Sequence, residues 1–473
     1  MHKDVIVLRR DLSRILLAST AGASVLSTRA QAQSTCTTGP CYPPTPAETA
    51  AGFSINTSYP PGAWRRYGAD PSGTTDSSTA INNALTVCAE AFDDCPGGGL
   101  YLVSQTIRFQ RNGQRLLGQG SGEASSACTT LSYSGSGGTI VSFSNTTLNF
   151  SDCLIDGILL NGNNLANVGV EVYNDNIAGG SWRNKLANCA IWYVTAGTNP
   201  TAVFLGLRNS APSFANDSIF DSLFIEGAGR GFAGKGAAYR LNGCTVQGCS
   251  DAAIHAESGA FWTASSTVFS SNNRDFDGAT IQMFSAFGCW FENSTNGIYR
   301  AAGGHTASFQ GCLLHTNCVS LLMDFGDAAG NAAICACEFG QLNKSTVIAN
   351  LNTTGVYDFR LSGVSSGGYG KGNVQSASAT LTNGQTLVLP LGRGTFFVGV
   401  DIWFTGSANQ RSQATYSAFL FDGDNEAVSL IASHTGSGGP QPYTLAPSTN
   451  SVTLTYTGAQ TVAVFVSGSG VTG

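Results

Sequence analysis

The chain has 473 residues, only 11% of them charged, with 23 Lys+Arg against 29 Asp+Glu and a formal charge of -6. No basic block follows the first residues, which argues against nucleic-acid binding, and no later run is long and apolar enough to span a bilayer. The 59 Gly, with abundant Ser, Thr and Asn, suit a β protein with many tight turns.

In chain order, residues 1–32 read as an export signal. Leu8-Arg9-Arg10-Asp11-Leu12-Ser13-Arg14 precedes the mildly apolar ILLASTAGASVL and then Ala30-Gln31-Ala32, a small-residue cleavage site. The paired arginines resemble the twin-arginine signal of bacteria, and an ordinary secretory signal would change the route but not the destination. The mature protein is therefore expected to start near Gln33 and to be periplasmic or extracellular, with no membrane attachment once the signal is removed. Residues 33–63 read as a Pro-rich linker without regular structure, because Pro40, Pro43, Pro44, Pro46, Pro60 and Pro61 crowd it. Cys36 and Cys41 within it are a candidate surface disulfide.

Trp64 to Leu85, WRRYGADPSGTTDSSTAINNAL, begins with turn chemistry over Asp70–Asp76. Asp76 or Ser77 then caps a predicted helix over Ser77–Ala89, with Ile81, Leu85 and Cys88 on one apolar face. Cys88 and Cys95, at its end and in the following loop, are the best disulfide candidates. GGGLYLVSQTIRF and LLGQGSG follow. Together these segments resemble the opening of the pectate-lyase-superfamily, phage-tailspike-type proteins, whose fold is a right-handed parallel β-helix. The resemblance is close over Trp64–Gly122. It implies that the helix covers the N-terminal end of the solenoid, that a polysaccharide chain lies along outward strand faces, and that homotrimers form.

From Asn149 to Gly367 a short phrase recurs, a small or sulfur-bearing residue followed two places later by a large apolar one. It appears at Cys153/Ile155, Cys189/Ile191, Leu223/Ile225, Cys244/Val246, Ser266/Val268, Cys289/Phe291, Cys312/Leu314 and Cys337/Phe339. From Leu223 onward the recurrence is in the low twenties of residues, the signature of a solenoid with strands in each repeat. Alternation places both residues of each phrase inward and the fourth position outward. A second strand is expected to turn Ile254, Ile281, Ile298 and Leu322 inward and to expose His255, Gln282, Tyr299 and Met323. The chain has 14 Cys. The inward Cys column reads mostly as reduced thiols acting as small buried hydrophobes, and no paired CxxC or His cluster suggests a metal. No cofactor is expected.

The β-helix with its cap is assigned to residues 64–372 and an antiparallel β-sandwich to 373–473. The latter shows short alternating runs such as GTFFVGVDIWFTG and SVTLTYTGAQTVAVFVSG between turn residues.

The outward row reads Asp156, Trp192, Glu226, Gln247, Phe269, Glu292, His315 and Gly340, with Phe224 and Trp290 two residues before their carboxylates. Carboxylates supply proton donors and acceptors for a glycosidic oxygen, and flat rings supply platforms for sugar faces. Glu292 and Glu226 are the first acid/base candidates, with His315, Asp251, Asp275 and Asp277 as partners. Trp192, Trp290, Phe224, Gln247, His255 and Tyr299 are the substrate-binding candidates. Glu226 and Glu292 lie three coils apart, ~14 Å at the strand spacing, beyond the ~5 to 9.5 Å between the carboxyls of a glycosidase. The long segments before Leu223 are expected to wall a groove beside Trp192. NTD, DD, GHG and RIK motifs of polygalacturonases do not occur as a set, and the pectate lyases' calcium-binding carboxylates find no match. The expectation is an exported polysaccharide-degrading enzyme, hydrolase in preference to lyase, with a noncatalytic glycan-binding or surface-attachment protein as the alternative.

Overall fold

The computed structural model describes residues 42–122, 128–174, 176–177, 180–206, 215–257, 260–278, 281–301 and 305–315, and beyond these the strands named below with residues 337, 382–385 and 457–458. Three all-parallel sheets form a right-handed parallel β-helix. Sheet 1 has 11 strands, from Ser72–Asp76 to Glu338–Phe339; sheet 2 has 10, from Ile107–Arg108 to Ile348–Ala349; sheet 3 has 11, from Glu90–Phe92 to Val356–Arg360. Each coil visits sheets 3, 1 and 2 in turn. One coil runs through Tyr239–Asn242, Thr245–Gln247 and Ala252–Ala256, and the next through Ala260–Ser265, Val268–Ser270 and Phe276–Gly278. The last coils include Met323–Asp324 in sheet 2 and Gly330–Cys335 in sheet 3.

The middle strands of sheet 1 are three residues long because a left-handed residue stands on each side. Asn188 and Tyr193, Ser222 and Gly227, Gly243 and Gly248, Ser266 and Ser271, and Gly288 and Asn293 all have φ between 48 and 66°. A Cβ at Gly243 or Gly288 would meet nothing within 4 Å, so Asn or Ser finds room at this corner at the cost of a left-handed backbone. Between the corners, Ile191, Ile225, Val246, Phe269, Phe291 and Leu314 pair in register, all fully buried. The Phe269 and Phe291 rings stack at 5.0 Å and 12°.

This register corrects the sequence reading at two coils. Ser266 takes the left-handed corner (φ 48), so Thr267 and Phe269 point inward while Val268 and Ser270 point out. Phe269 therefore leaves the outward row and Ser270 replaces it. Cys153 belongs to the corner before sheet 3, since Leu154–Asp156 pairs with Lys185–Ala187. Asp156 leaves the row with it, and Asn161 stands opposite Trp192 instead.

The remaining small column runs Cys189, Leu223, Cys244, Thr267, Cys289, Cys312, Cys337, all buried. Its cysteines are free thiols. The Cys289 and Cys312 Sγ atoms each donate to a carbonyl one coil back, Ala264 and Ala286, at 3.4 Å. Burial pushes the Cys189 and Cys244 thiols up to about 12.

At the N-terminal end, helix α1 (Pro46–Ala51) lies inside the stretch read as an irregular linker. A capping box joins Thr45 and Glu48, and Pro46 is tolerated in the first turn, where its missing N–H has no intrahelical partner. Buried Arg66 ties this segment down: its Nε donates to Glu48 Oε1 at 2.6 Å and its guanidinium to the carbonyls of Tyr42, Pro43 and Tyr59. Helix α2 (Ser78–Val87) buries Ala80, Ile81, Ala84 and Leu85 against the first coils. Asp76 caps its first turn, accepting from the Ser78 N–H at 3.2 Å. The predicted Cys88–Cys95 disulfide is absent: both thiols are free, and Cys88 Sγ packs 3.3 Å from Tyr67 Oη. Cys36 and Cys41 lie outside the described residues.

The C-terminal strands form two antiparallel sheets. Five strands run in the order Gly372–Leu381, Val462–Thr472, Gly394–Phe404, Arg411–Leu420 and Ala427–Thr435, and three in the order Thr386–Pro390, Ser451–Tyr456 and Tyr443–Ser448. Leu389, Val398, Val400, Ile402, Val452 and Leu454 are part of a core separate from that of the solenoid.

Candidate functional site

Strand pairing gathers most of the predicted site residues on the outer face of sheet 1. Trp192, Glu226, Gln247, Ser270 and Glu292 occupy one outward file in successive coils. Ala190, Phe224, Thr245, Val268, Trp290 and Leu313 form the file beside it. Trp290 is 40% exposed and stands over an open face. Glu226 and Glu292 are half-buried, and the Glu292 carboxylate accepts from Asn293 Nδ2 at 3.1 Å. Strand Leu313–His315 sets His315 opposite Glu292 in register, while its side chain lies outside those described.

An aromatic cluster closes one end. Trp192 packs edge-on to Phe224 at 6.5 Å and tilted to Tyr193 at 6.3 Å, and Tyr193 is 42% exposed. The Trp192 Nε1 donor is shielded from solvent with no hydrogen-bond partner among the described residues. Beside it the connection from sheet 1 to sheet 2 runs from Trp192 to Thr201, against only Glu226 to Arg230 one coil later. The long segment thus adds chain next to Trp192, although residues 207–214 lie outside the described structure.

Other predicted residues are placed elsewhere. In sheet 2, Ile254, Phe276, Tyr299 and Met323 share the inward column. Tyr299 is 1% exposed and Met323 fully buried, so neither meets a ligand, and Ile281 begins a sheet 3 strand instead. Both Ile298 and Tyr299 are buried, and alternation had assigned only the first inward. The Gln282 side chain is outside those described. His255, Asp277 and Arg300 follow one another on the outward side of sheet 2.

There the His255 imidazole sits 3.3 Å from Glu257 and 3.6 Å from Asp277, and Arg300 grips Asp277 through two bonds of 2.6 and 2.7 Å. Arg274 approaches the same carboxylate at 3.8 Å. Burial opposes ionisation of Asp277, but His255 and the guanidiniums outweigh it and hold the carboxyl well below its ordinary range. A carboxylate so committed is a structural brace between coils and a poor proton donor. Sequence reasoning missed Arg300. The signal was there, since 255, 277 and 300 recur at the coil period.

Asp251 pairs with Arg230 at 2.6 Å at the corner before sheet 2. Asp275 is fully buried and accepts from Asn272 Nδ2 at 2.9 Å and from Ser294 Oγ. Burial pushes its carboxyl up to about 7 against these bonds. It holds a corner together and does not reach the outward files. Among the described residues no group of three or more His, Cys, Asp or Glu is arranged to hold a metal ion.

No known family profile matches this chain, and no curated protein matches it. Solved structures do resemble it. ORF18 of Geobacillus virus E2 is 15% identical, with 81% of this chain and 80% of that one covered and a TM-score of 0.46. The gp49 tailspike of Acinetobacter baumannii bacteriophage Fri1, described as a capsular polysaccharide depolymerase, is 11% identical over 84% of each chain, with a TM-score of 0.30. WceF of Pantoea stewartii, described as a glycan biofilm modifying enzyme with a tailspike-like parallel β-helix, is 12% identical over 86% of this chain and 61% of its own, with a TM-score of 0.33. The fold assignment rests on the strand pairing above, and the assignment of a site rests on this chain's own residues.

Proposed function

We propose that this chain is an exported polysaccharide-degrading protein that binds a glycan along the outer face of sheet 1, a glycoside hydrolase in preference to a lyase. The observation that carries the reading is the pair of outward files, in which Glu226 stands beside Phe224 and, three coils on, Glu292 stands beside Trp290. Hydroxyls of a sugar can donate to the carboxylates, and its apolar faces can rest on the rings. Glu292 is the first choice for acid/base work, because Trp290 flanks it and His315 follows one coil on. The descriptions of the Fri1 tailspike and of WceF are consistent with this class.

One observation favours a second reading, a noncatalytic glycan binder. Two coils, at Gln247 and Ser270, separate Glu226 from Glu292, so the two carboxylates do not form a direct glycosidase pair at ~14 Å.

The test incubates the protein with neutral and uronate-containing polysaccharides, following reducing ends and the absorbance of unsaturated uronate. Reducing ends alone indicate a hydrolase, both signals a lyase, and binding without either the second reading. Since a general acid or base contributes ~10² to 10⁴ in rate, Glu292→Gln and Glu226→Gln should keep the fold and lower activity. Full activity in both variants removes this site.

A further inference from the structure

The two files of sheet 1 differ in chemistry as well as position. One offers Glu226, Gln247, Ser270 and Glu292, which are hydrogen-bonding groups; the other offers Phe224, Val268, Trp290 and Leu313, which are apolar, with Thr245 as its single polar member. Neither Glu226 nor Glu292 makes an ion pair among the described residues, and no Lys or Arg occupies either file between Ala190 and Leu313. Cations of the same coils stand on other faces, and three of them are matched to carboxylates there. Arg230 pairs with Asp251 at 2.6 Å, Arg300 with Asp277 at 2.6 Å, and Lys185 with Asp221 at 3.1 Å.

We infer that the groove takes a neutral polysaccharide laid across the coils, and that uronate polymers are disfavoured; this rests on the glycan-binding reading above. A uronate carboxylate brought within about 4 Å of Glu226 or Glu292 meets like-charge repulsion worth roughly a fivefold loss of affinity per contact, even at the dielectric of water. A neutral pyranose meets no such penalty. Its hydroxyls donate charge-assisted bonds to the carboxylates, while its C–H faces cover Trp290 and Phe224. The same electrostatics oppose β-elimination, which builds negative charge beside a uronate carboxylate that a cation or metal must offset.

The experiment titrates the full chain with neutral glucan, galactan and mannan oligosaccharides and with polygalacturonate and alginate oligomers of equal length, at low and high salt, by calorimetry. The expected result is binding of at least one neutral series with little salt dependence, lost in Trp290→Ala, and polyuronate binding weaker by about tenfold or more. Ser270→Lys, which puts a cation between Gln247 and Glu292, should narrow that gap at low salt. Polyuronates bound as tightly as the best neutral series overturn the inference while leaving a glycan groove in place. Failure to bind any glycan, or binding unaffected by Trp290→Ala, removes the groove itself and the inference with it.

Discussion

The register of sheet 1 at residues 267–270 decides which side chains face a ligand, and two truncations test it. Phe269 is fully buried, paired between Val246 and Phe291 and stacked on the latter at 5.0 Å. Removing its ring leaves a cavity one coil thick in a column that cannot collapse sideways, since strands on both sides fix its walls. Phe→Ala changes in such cores cost about 3–5 kcal/mol, and this site belongs at the upper end because the stacked pair contributes a further ~0.5–1.5 kcal/mol. Val268 is half-buried on the outer face, where truncation should cost less than about 1 kcal/mol. The assay is urea unfolding of Phe269→Ala and Val268→Ala, followed by tryptophan fluorescence with unfolding rates measured in parallel, since long solenoids often unfold irreversibly. Equal losses in the two variants, or a larger loss in Val268→Ala, would refute the register. Ser270 would then leave the outward file.

The buried thiols Cys189, Cys244, Cys289 and Cys312 should react with an alkylating probe only after unfolding, because burial hides all four and, at Cys189 and Cys244, also suppresses the thiolate; mass spectrometry of the native protein would show them unmodified. Glu48→Gln leaves Arg66 buried without its charge partner and should cost about 3–5 kcal/mol locally, read as faster proteolysis before Trp64. Arg66 holds the Glu48 carboxyl down at about 2 from 4.5, so its contribution is present above pH 4.5 and lost as pH falls toward 2; acid titration of the wild type should loosen the same segment. Asp275, raised from 3.8 to about 7 by burial, has the opposite sign. Its contribution is full below pH 3.8 and lost as pH rises through 7, so Asp275→Asn should flatten the fall in stability across that window, measured by unfolding at several pH values.

Much of the fold was legible in the sequence. Cys244, Cys289, Cys312 and Cys337 recur before sheet 1 strands, at a buried inward position that Leu223 and Thr267 also fill. The slip at Ser266 has a plain cause. Serine suits both the small column and the left-handed corner, and composition alone does not separate the two. Cys153 misled for a related reason: Asp152 (φ 61) makes the same kind of corner before sheet 3 that Asn188 (φ 50) makes before sheet 1. In the site, Trp192, Glu226, Gln247, Trp290 and Glu292 were readable because three-residue strands alternate strictly. Tyr299 and Met323 were not, since Ile298 and Tyr299 are apolar neighbours that are both buried, and only pairing with Phe276 and Met323 fixes which one lies in the strand column. The α1 segment was hidden by its prolines, and the tie from Arg66 to Glu48 spans chain that no local pattern connects.

The paired left-handed corners that bracket each middle strand of sheet 1 have a bearing on how this protein can diversify. Corner, inward residue, strand and corner together form a six-residue cassette, as from Gly243 to Gly248 or Gly288 to Asn293, and gaining or losing one residue inside it would turn the ladder inside out. Beyond the second corner the chain is released from that constraint. The passage to sheet 2 runs from Trp192 to Thr201 in one coil and from Glu226 to Arg230 in the next, yet both deliver strands into register. Length changes at this passage thus fall at one edge of the outward files, and the passage from sheet 2 to sheet 3 varies as well, from Phe204 to Ile219 in one coil and from Gly234 to Tyr239 in the next. Lineages of this scaffold can lengthen or shorten the chain beside the outward files while the strands that carry them stay fixed.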